Sequence, residues 1–154
     1  MPQNVSDIPT FFSSQVSRMY GVSLRQLQWW DERRIVSPRH EGHARCYSEQ
    51  ESVMVGILTE LRKKRVSLQA TRRILRRLER DIGRFLDSFN PLQKYWVVTD
   101  PKTKSHYLSE DPHKLLQLIV DTKGPMIVVD ISSIAWKIKE VEAEKRERIG
   151  KRRG

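Results

Sequence analysis

The sequence contains only one cysteine, Cys46, and has no long apolar run. A single cysteine excludes an intrachain disulfide and any metal centre built from several thiolates. Every apolar run falls short of the roughly 20 residues that a membrane-spanning helix needs. The N-terminal residues also lack the apolar core of a signal peptide, so we expect a cytoplasmic protein without a membrane partner.

Acidic residues are scarce relative to basic ones. The chain has 29 Lys and Arg residues against 19 Asp and Glu, which gives a formal net charge of +10. The surplus is spread over the chain, with 16 basic and 10 acidic residues in 1–90 and 13 and 9 in 91–154. A polyanion is the natural partner of such a chain, because each neutralised phosphate releases condensed counterions.

The sequence also lacks a catalytic arrangement. Five titratable residues of the C-terminal half suit chemistry, but none stands in the spacing of a nucleophile, a base and an orienting group. They are Asp100, His106, Asp111, His113 and Asp130. His40 and His43 have no matching carboxylate or thiol, so they do not predict a metal site. We therefore expect no enzymatic activity, catalytic residue, metal or cofactor.

Residues 14–47 have an order of elements that suits DNA binding. Gly21 permits a sharp turn between a first helix over 14–20 and a second helix over 23–33. Residues 35–47 contain a proline and a glycine and lack helical periodicity, so we predict a hairpin there. Such an order places one helix in the DNA major groove and a basic wing on the backbone beside it.

Helical spacing turns the polar side chains of the second helix outward. Arginine pairs with guanine and glutamine with adenine through two hydrogen bonds, so these side chains are candidates for DNA contact. The candidates are Ser23, Arg25, Gln26, Gln28, Trp29 and Arg33. The alternative is a solvated helix face.

The wing carries donors that suit phosphate oxygens. They belong to Arg39, His43, Arg45 and Tyr47. The alternative is that these residues stabilise the hairpin through cross-strand pairs.

Two longer helices are predicted after the wing. A capping box at 48–51 opens a helix over 49–64, and a strongly amphipathic helix follows over 68–86. Lys64 and Arg72 are candidate phosphate contacts near the basic turn between them. The arginine-rich face of the second helix is either a further phosphate track or a solubilising surface.

The Asn90-Pro91 pair ends the long helix and is the best candidate for a domain boundary. We predict a DNA-binding domain over 11–88, a small ββαβα domain over 91–149 and a disordered basic tail over 150–154. The first dozen residues are expected to form a loose lead-in that a Phe11-Phe12 pair anchors. The predicted fold class is α+β, with a mainly α N-terminal unit.

Apolar stripes on two helices are candidates either for the core or for a dimer contact. The residues predicted for the dimer contact are Leu78, Ile82, Phe85, Ile134, Ile138 and Val141.

The N-terminal half resembles the MerR family of bacterial transcription regulators, which are winged helix-turn-helix proteins. The resemblance covers about residues 11–80 and rests on a combined pattern. The matching positions are Gly21-Val22-Ser23, Leu27, Trp30, Pro38, Gly42, Arg45, Tyr47, Ser48, Leu61-Arg62 and Ser67-Leu68. It implies a helix-turn-helix over 14–20 and 23–33, a wing over 35–47, and a helix pair over 49–64 and 68–80.

The chain departs from the family pattern in several places. Gln28 replaces the usual arginine of the recognition helix, and Arg34 and Arg65 replace glycines that usually follow two of the helices. Both arginines add charge where glycine easily adopts the left-handed conformation. A small ββαβα unit also stands where family members usually have one long dimer helix and metal-binding cysteines, so thiolate sensing of metals is not supported.

The combined pattern predicts a sequence-specific transcription regulator that binds a pseudo-palindromic operator as a homodimer. The resemblance implies that it deforms the DNA between the half-sites and realigns promoter elements for RNA polymerase. One alternative is an excisionase-like architectural protein that bends DNA without an effector. Another is a C-terminal protein-interaction module on a DNA-binding domain. We expect double-stranded DNA as the partner and a nucleoid-associated location.

Overall fold

The computed structural model describes residues 10–100, 105–122 and 124–153. The N-terminal elements are β1 (Thr10–Phe12), α1 (Ser13–Tyr20), α2 (Leu24–Glu32), β2 (Arg39–Glu41), β3 (Ala44–Ser48), α3 (Glu49–Lys63) and α4 (Leu68–Asp87). The C-terminal elements are β4 (Trp96–Asp100), β5 (Ser105–Ser109), α5 (Pro112–Asp121), β6 (Ile127–Asp130) and α6 (Ser132–Arg153). The predicted α+β class is confirmed, and the predicted elements occur in the predicted order, with β1 as an additional strand.

Three helices of the N-terminal unit end with the same geometry. α1 ends at Gly21, whose φ of 66° lies in the left-handed region. Arg34 and Arg65 adopt that region after α2 and α3, with φ of 54° and 62°. The following amide then donates back into the helix, as the Ile35 N–H does to the Trp30 carbonyl at 2.9 Å. The two arginines therefore make the turn that glycine usually makes, at a strain of about 1 kcal/mol each.

The first sheet has the order β1-β3-β2 and is antiparallel. β2 and β3 form the predicted hairpin, and β1 pairs with β3 so that Phe11 lies opposite Tyr47. The prediction of a loose lead-in is wrong for residues 10–12, because the buried Phe11 side chain holds this segment against β3 as a strand. The rest of that predicted lead-in, residues 1–9, lies outside the described residues.

The second sheet has the order β5-β4-β6, also antiparallel. In the central strand, Val97 lies opposite Leu108 of β5 and Val129 of β6. α5 covers β5 without burying any of its own residues fully. The predicted ββαβα unit is therefore present, with α6 as its last helix.

One apolar core runs through both halves of the chain. α6 packs on α3 at Gly56, where an added Cβ would lie 2.6 Å from Ile134 Cγ2 and 2.9 Å from Tyr20 Cε1. The boundary predicted near residue 90 falls in the loop between α4 and β4, but side chains from both sides of this loop share the core. The C-terminal unit is thus packed on the helix-turn-helix unit.

The residues predicted for a dimer contact lie in this core. Leu78, Ile82, Phe85, Ile134 and Ile138 are at most 4% exposed, and Val141 packs against the core partly buried. The prediction that these residues form a dimer contact is therefore corrected. The second sheet and α6 fold back onto α3 and α4, and both apolar stripes are covered. A second copy of the chain cannot reach them in the folded protein.

The basic tail predicted as disordered continues α6 as far as Arg153. Within this last stretch of α6, Glu147 and Lys151 are spaced four apart, as helix-stabilising pairs are. Gly154 lies outside the described residues. α6 is long but charged, and in the described part of the chain no helix combines the length and the apolar character needed to cross a membrane.

Charged side chains form a second contact between α6 and α3. The Lys139 Nζ atom lies 3.3 Å from Glu49 Oε1 and 3.7 Å from Glu142 Oε2. Burial, together with a hydrogen bond to Glu49 and the charge of that residue, raises the pKa of Glu142 to about 7. The Glu142 carboxyl group therefore holds a proton at lower pH.

The close approach at Gly56 predicts an effect of a single methyl group. We expect Gly56→Ala to lower the free energy of unfolding by about 1–3 kcal/mol because of overpacking, although alanine favours an isolated helix by about 1 kcal/mol. Gly83→Ala is the matched control, because its Cβ would lie 3.6 Å from Gln50 Oε1, an ordinary contact. We expect the control to be neutral or stabilising in urea denaturation. A stabilised Gly56→Ala would contradict the packing of α6 on α3.

The raised pKa of Glu142 predicts a pH dependence of stability. The ordinary pKa of glutamate is 4.5 and that of Glu142 is about 7 in the folded chain, so folding takes up a proton between these values. The contribution of Glu142 to stability is complete below pH 4.5 and is lost as the pH rises through 7. We expect Glu142→Gln to remove this loss. Its free energy of unfolding at pH 8 should exceed that of wild type by about 1 kcal/mol, a value reduced from the full pKa difference because solvent screens the charge. Parallel unfolding profiles of both proteins between pH 5 and 8 would contradict the raised pKa of Glu142.

Candidate nucleic-acid interface

The exposed face of α2 is the centre of the candidate interface. Ser23 caps the helix by accepting the Gln26 amide at 3.0 Å, so its hydroxyl is used within the fold. Leu27 and Trp30 bury the opposite face. The Arg25 side chain is exposed, and among the described residues no carboxylate pairs with it. The predicted division of this helix into an inner and an outer face therefore holds.

Other predicted contact residues on α2 are engaged with neighbours. The Gln28 side chain donates to Glu32 Oε1 at 2.8 Å. The Arg33 guanidinium lies 5.0 Å from the centre of the Trp29 ring, a cation–π arrangement. Both contacts are exposed and are therefore easily exchanged for a ligand.

A mostly buried carboxylate fastens the hairpin to α2. Asp31 Oδ2 accepts from Arg45 Nε at 2.7 Å and lies 2.8 Å from His40 Nε2. The Asp31 side chain is only 13% exposed, and its backbone carbonyl accepts from the Ser37 hydroxyl at 3.3 Å. Arg45, a predicted phosphate contact, therefore positions the hairpin.

The sequence pattern gives no signal for Asp31 or His40 in this role. The three side chains come from α2, β2 and β3, and they meet only after the hairpin has folded back on the helix. Asp31 is followed directly by a second acidic residue, Glu32, so the sequence alone does not distinguish which carboxylate fastens the hairpin.

Two predicted wing residues lie on the outside of the hairpin. Arg39 forms an exposed ion pair with Glu41 at 2.7 Å, and such pairs contribute little stability. His43 is exposed in the turn after Gly42, whose φ is 62°. These two side chains are accessible to a phosphate.

Tyr47 does not lie at the surface, contrary to the prediction. Its side chain is 1% exposed and lies beneath β1, a strand that the sequence pattern did not predict. Burial is the main cause that raises the pKa of its hydroxyl, to about 12. Tyr47 is a core residue of the hairpin rather than a phosphate ligand.

The turn between α3 and α4 brings further cations beside α2. Arg62 Nη1 donates to the Val66 carbonyl at 2.8 Å and stabilises the turn. Arg72 donates to the Arg33 carbonyl at the end of α2. Lys64 is exposed in the turn itself. Arg72 therefore braces the recognition helix, while Lys64 faces solvent.

The titratable residues of the C-terminal unit support the fold. Asp111 caps α5 by accepting the His113 amide at 2.9 Å, and Asp130 forms an ion pair with Lys94 at 3.0 Å. His106 has a lowered pKa because of burial and of the nearby arginines on α4. Within the described residues, no group of three or more His, Cys, Asp or Glu side chains has the arrangement of a metal site.

Comparison with known proteins bears on the N-terminal half. The model of a family described as "MerR HTH family regulatory protein" matches residues 12–78. The matched range contains α1, α2, the hairpin, α3 and the first half of α4, whereas the second sheet and α6 lie outside it. A search of curated proteins found no match to the chain. The chain therefore carries, in residues 12–78, the DNA-binding helix-turn-helix domain of the MerR family of transcription regulators.

Proposed function

We propose that the chain is a transcription regulator that recognises a specific double-stranded DNA sequence through α2. The observation that carries the proposal is the open face of α2, on which Arg25 and Gln26 project beside a hairpin fastened by Asp31. A major groove about 12 Å wide admits one helix. In that position Arg25 suits guanine and Gln26 suits adenine.

Elements on both sides of α2 supply phosphate contacts in this proposal. The hairpin, attached through Asp31, offers Arg39 and His43. On the other side, Lys63 lines a surface groove together with Gln26 of α2, and the second basic turn begins there. Phosphate contacts fix the register and orientation of a protein on DNA but read no sequence. Base recognition therefore falls to α2.

The regulatory step proposed is a deformation of the promoter. The family resemblance supports a mechanism in which two half-sites are gripped while the DNA between them is bent and untwisted. Such deformation costs a few kcal/mol and is offset by the additional phosphate contacts. Realigned promoter elements then become accessible to RNA polymerase, and binding of this kind would place the protein in the nucleoid.

A homodimer is part of the proposal, since a pseudo-palindromic site presents two equivalent half-sites. The apolar stripes predicted for the dimer contact lie in the core, so a dimer has to form through another surface. α5 presents Leu116, Ile119 and Val120 to solvent at helical spacing, and all three are exposed. We therefore place the candidate dimer contact on α5.

The first test measures recognition by α2. A random-sequence duplex library is selected with the full chain, and binding of the enriched duplex is measured by gel shift at fixed salt. We expect Arg25→Ala to weaken binding by about 1–3 kcal/mol and to relax the preference at one base position. We expect Lys64→Ala to weaken all duplexes alike and to lower the salt slope by about one.

Lys151→Ala at the end of α6 is the control for this test, because it removes an exposed charge outside the family-matched range. It should bind like wild type. Unchanged affinity of Arg25→Ala would refute the assignment of the binding face. A selection that enriches no sequence would contradict a specific regulator and favour the architectural, excisionase-like alternative.

The second test concerns the dimer. We expect wild type to sediment as a dimer at micromolar concentration and Leu116→Glu/Val120→Glu to sediment as a monomer, because two charges would be buried in the contact. Leu92→Glu is the matched control, since Leu92 is almost fully exposed in a loop. A monomeric wild type, or a double variant that stays dimeric, would contradict the contact on α5.

A further inference from the structure

We propose that the exposed arginines of α4 form an additional binding surface for DNA phosphates, beyond α2, the hairpin and the second basic turn. The arginine ridge consists of the exposed Arg76 and Arg80, and it begins at the half-buried Arg72. The inference rests on the proposed function, because its ligand is the same duplex. It extends the protein footprint along the DNA backbone.

The net charge of the chain is concentrated around this ridge. Residues 62–84 contain ten basic and two acidic side chains, so they hold eight of the ten net positive charges. The rest of the chain is close to neutral. The ridge extends from the first turns of α4 to Arg80, which Glu79 and Asp81 flank in the sequence.

The helix arranges the arginines in a row. Arg72, Arg76 and Arg80 are spaced four apart, so they lie on one face, each about 6 Å further along the axis. The row is therefore about 12 Å long. Each DNA strand carries one phosphate per about 3.4 Å of helix axis, so a row of this length spans about three phosphates.

The ridge is continuous with the recognition helix. Arg72 donates to the Arg33 carbonyl, which lies at the end of α2. The basic turn with Lys64 and Arg65 directly precedes α4. A duplex seated on α2 therefore has its backbone next to the first turns of α4, where the row begins.

The outer arginines of the ridge have no internal partner. Within the described residues, no carboxylate forms an ion pair with Arg76 or Arg80. Lys63 and Lys94, by contrast, each pair with an acidic residue. Like charges four apart on a helix repel each other and destabilise it. A row of phosphates would remove this repulsion.

The chemistry of the surface favours a phosphate backbone over an acidic protein. No large apolar side chain is exposed between residues 62 and 91, a range that the structure describes completely. Protein interfaces depend on aromatic and apolar anchors in desolvated pockets. Binding to a nucleic-acid backbone needs only cations in register with the phosphates, and the guanidinium fork suits phosphate oxygens.

The test measures the salt dependence of DNA binding with the full chain. Fluorescence anisotropy gives the affinity for the enriched duplex between 50 and 200 mM salt, a range in which phosphate contacts are resolved. We expect Arg76→Gln/Arg80→Gln to lower the slope of log affinity against log salt by about 2, since each lost phosphate contact contributes about 0.9. Affinity at the lowest salt should fall at least tenfold, with an unchanged base preference. Arg76→Lys/Arg80→Lys should keep most of the slope.

Two controls distinguish the loss of phosphate contacts at the ridge from a loss of folding and from a general loss of positive charge. The melting temperature of the glutamine variant should equal or exceed that of wild type, because a repulsion has been removed. Lys151→Gln/Arg152→Gln removes the same charge from the exposed end of α6 and should leave the slope unchanged. An equal loss in this control would overturn the ridge as a specific contact.

Other outcomes distinguish the ridge from the proposed function. A wild-type slope for Arg76→Gln/Arg80→Gln, while Arg25→Ala still weakens binding, would overturn the ridge and leave the regulator intact. A wild-type slope together with lost binding to poly-L-glutamate would overturn the DNA assignment in favour of an acidic protein partner. If the library selection enriches no sequence, the proposed function fails. The salt slopes of wild type and the glutamine variant, measured on a random duplex, then still show whether the ridge binds phosphates.

Discussion

The ion pair of Asp31 with Arg45 is the contact on which the geometry of the DNA-binding face depends. One carboxylate on α2 accepts from Arg45 of β3 and contacts His40 of β2, so it fixes both hairpin strands relative to the recognition helix. Because the carboxylate is mostly buried, solvent screens this contact less than an exposed pair. The hairpin and α2 therefore form one rigid surface.

The same principle divides the many cations of this chain into two groups. Arg45, Arg62 and Arg72 are held by acceptors of the fold and position the elements around α2. Arg25 and Lys64 lack such acceptors among the described residues and face solvent. Net charge alone does not separate these groups, because a positioning arginine and a ligand-binding arginine contribute equally to it. The contacts made by each guanidinium separate them.

Much of the architecture is predictable because it follows from local patterns. The turn at Gly21, the capping box at Ser48 and the apolar period of α4 each involve neighbouring residues, and each predicts its element to within a few positions. The ββαβα order follows in the same way from β-branched runs and prolines. The interface is less predictable. The outward face of α2 follows from the helical period. Tyr47 and Arg45, by contrast, are not the phosphate contacts that were predicted, because β1 buries Tyr47 and Asp31 of α2 binds Arg45, and both partners are distant in sequence.

The helices, the hairpin and the family likeness follow from the amino-acid sequence by itself, since they depend on the spacing of side chains along a few turns or strands. The basic character follows from its composition. Tertiary structure decided which of those side chains remain accessible. The stripes on α4 and α6 suit a dimer contact or a core equally well, and only the packing of both helices on α3 places them in the core. The physical reason is that the burial of a side chain depends on which element covers it. That element can be far away in the sequence: Lys139 of α6 contacts Glu49 of α3, ninety residues earlier.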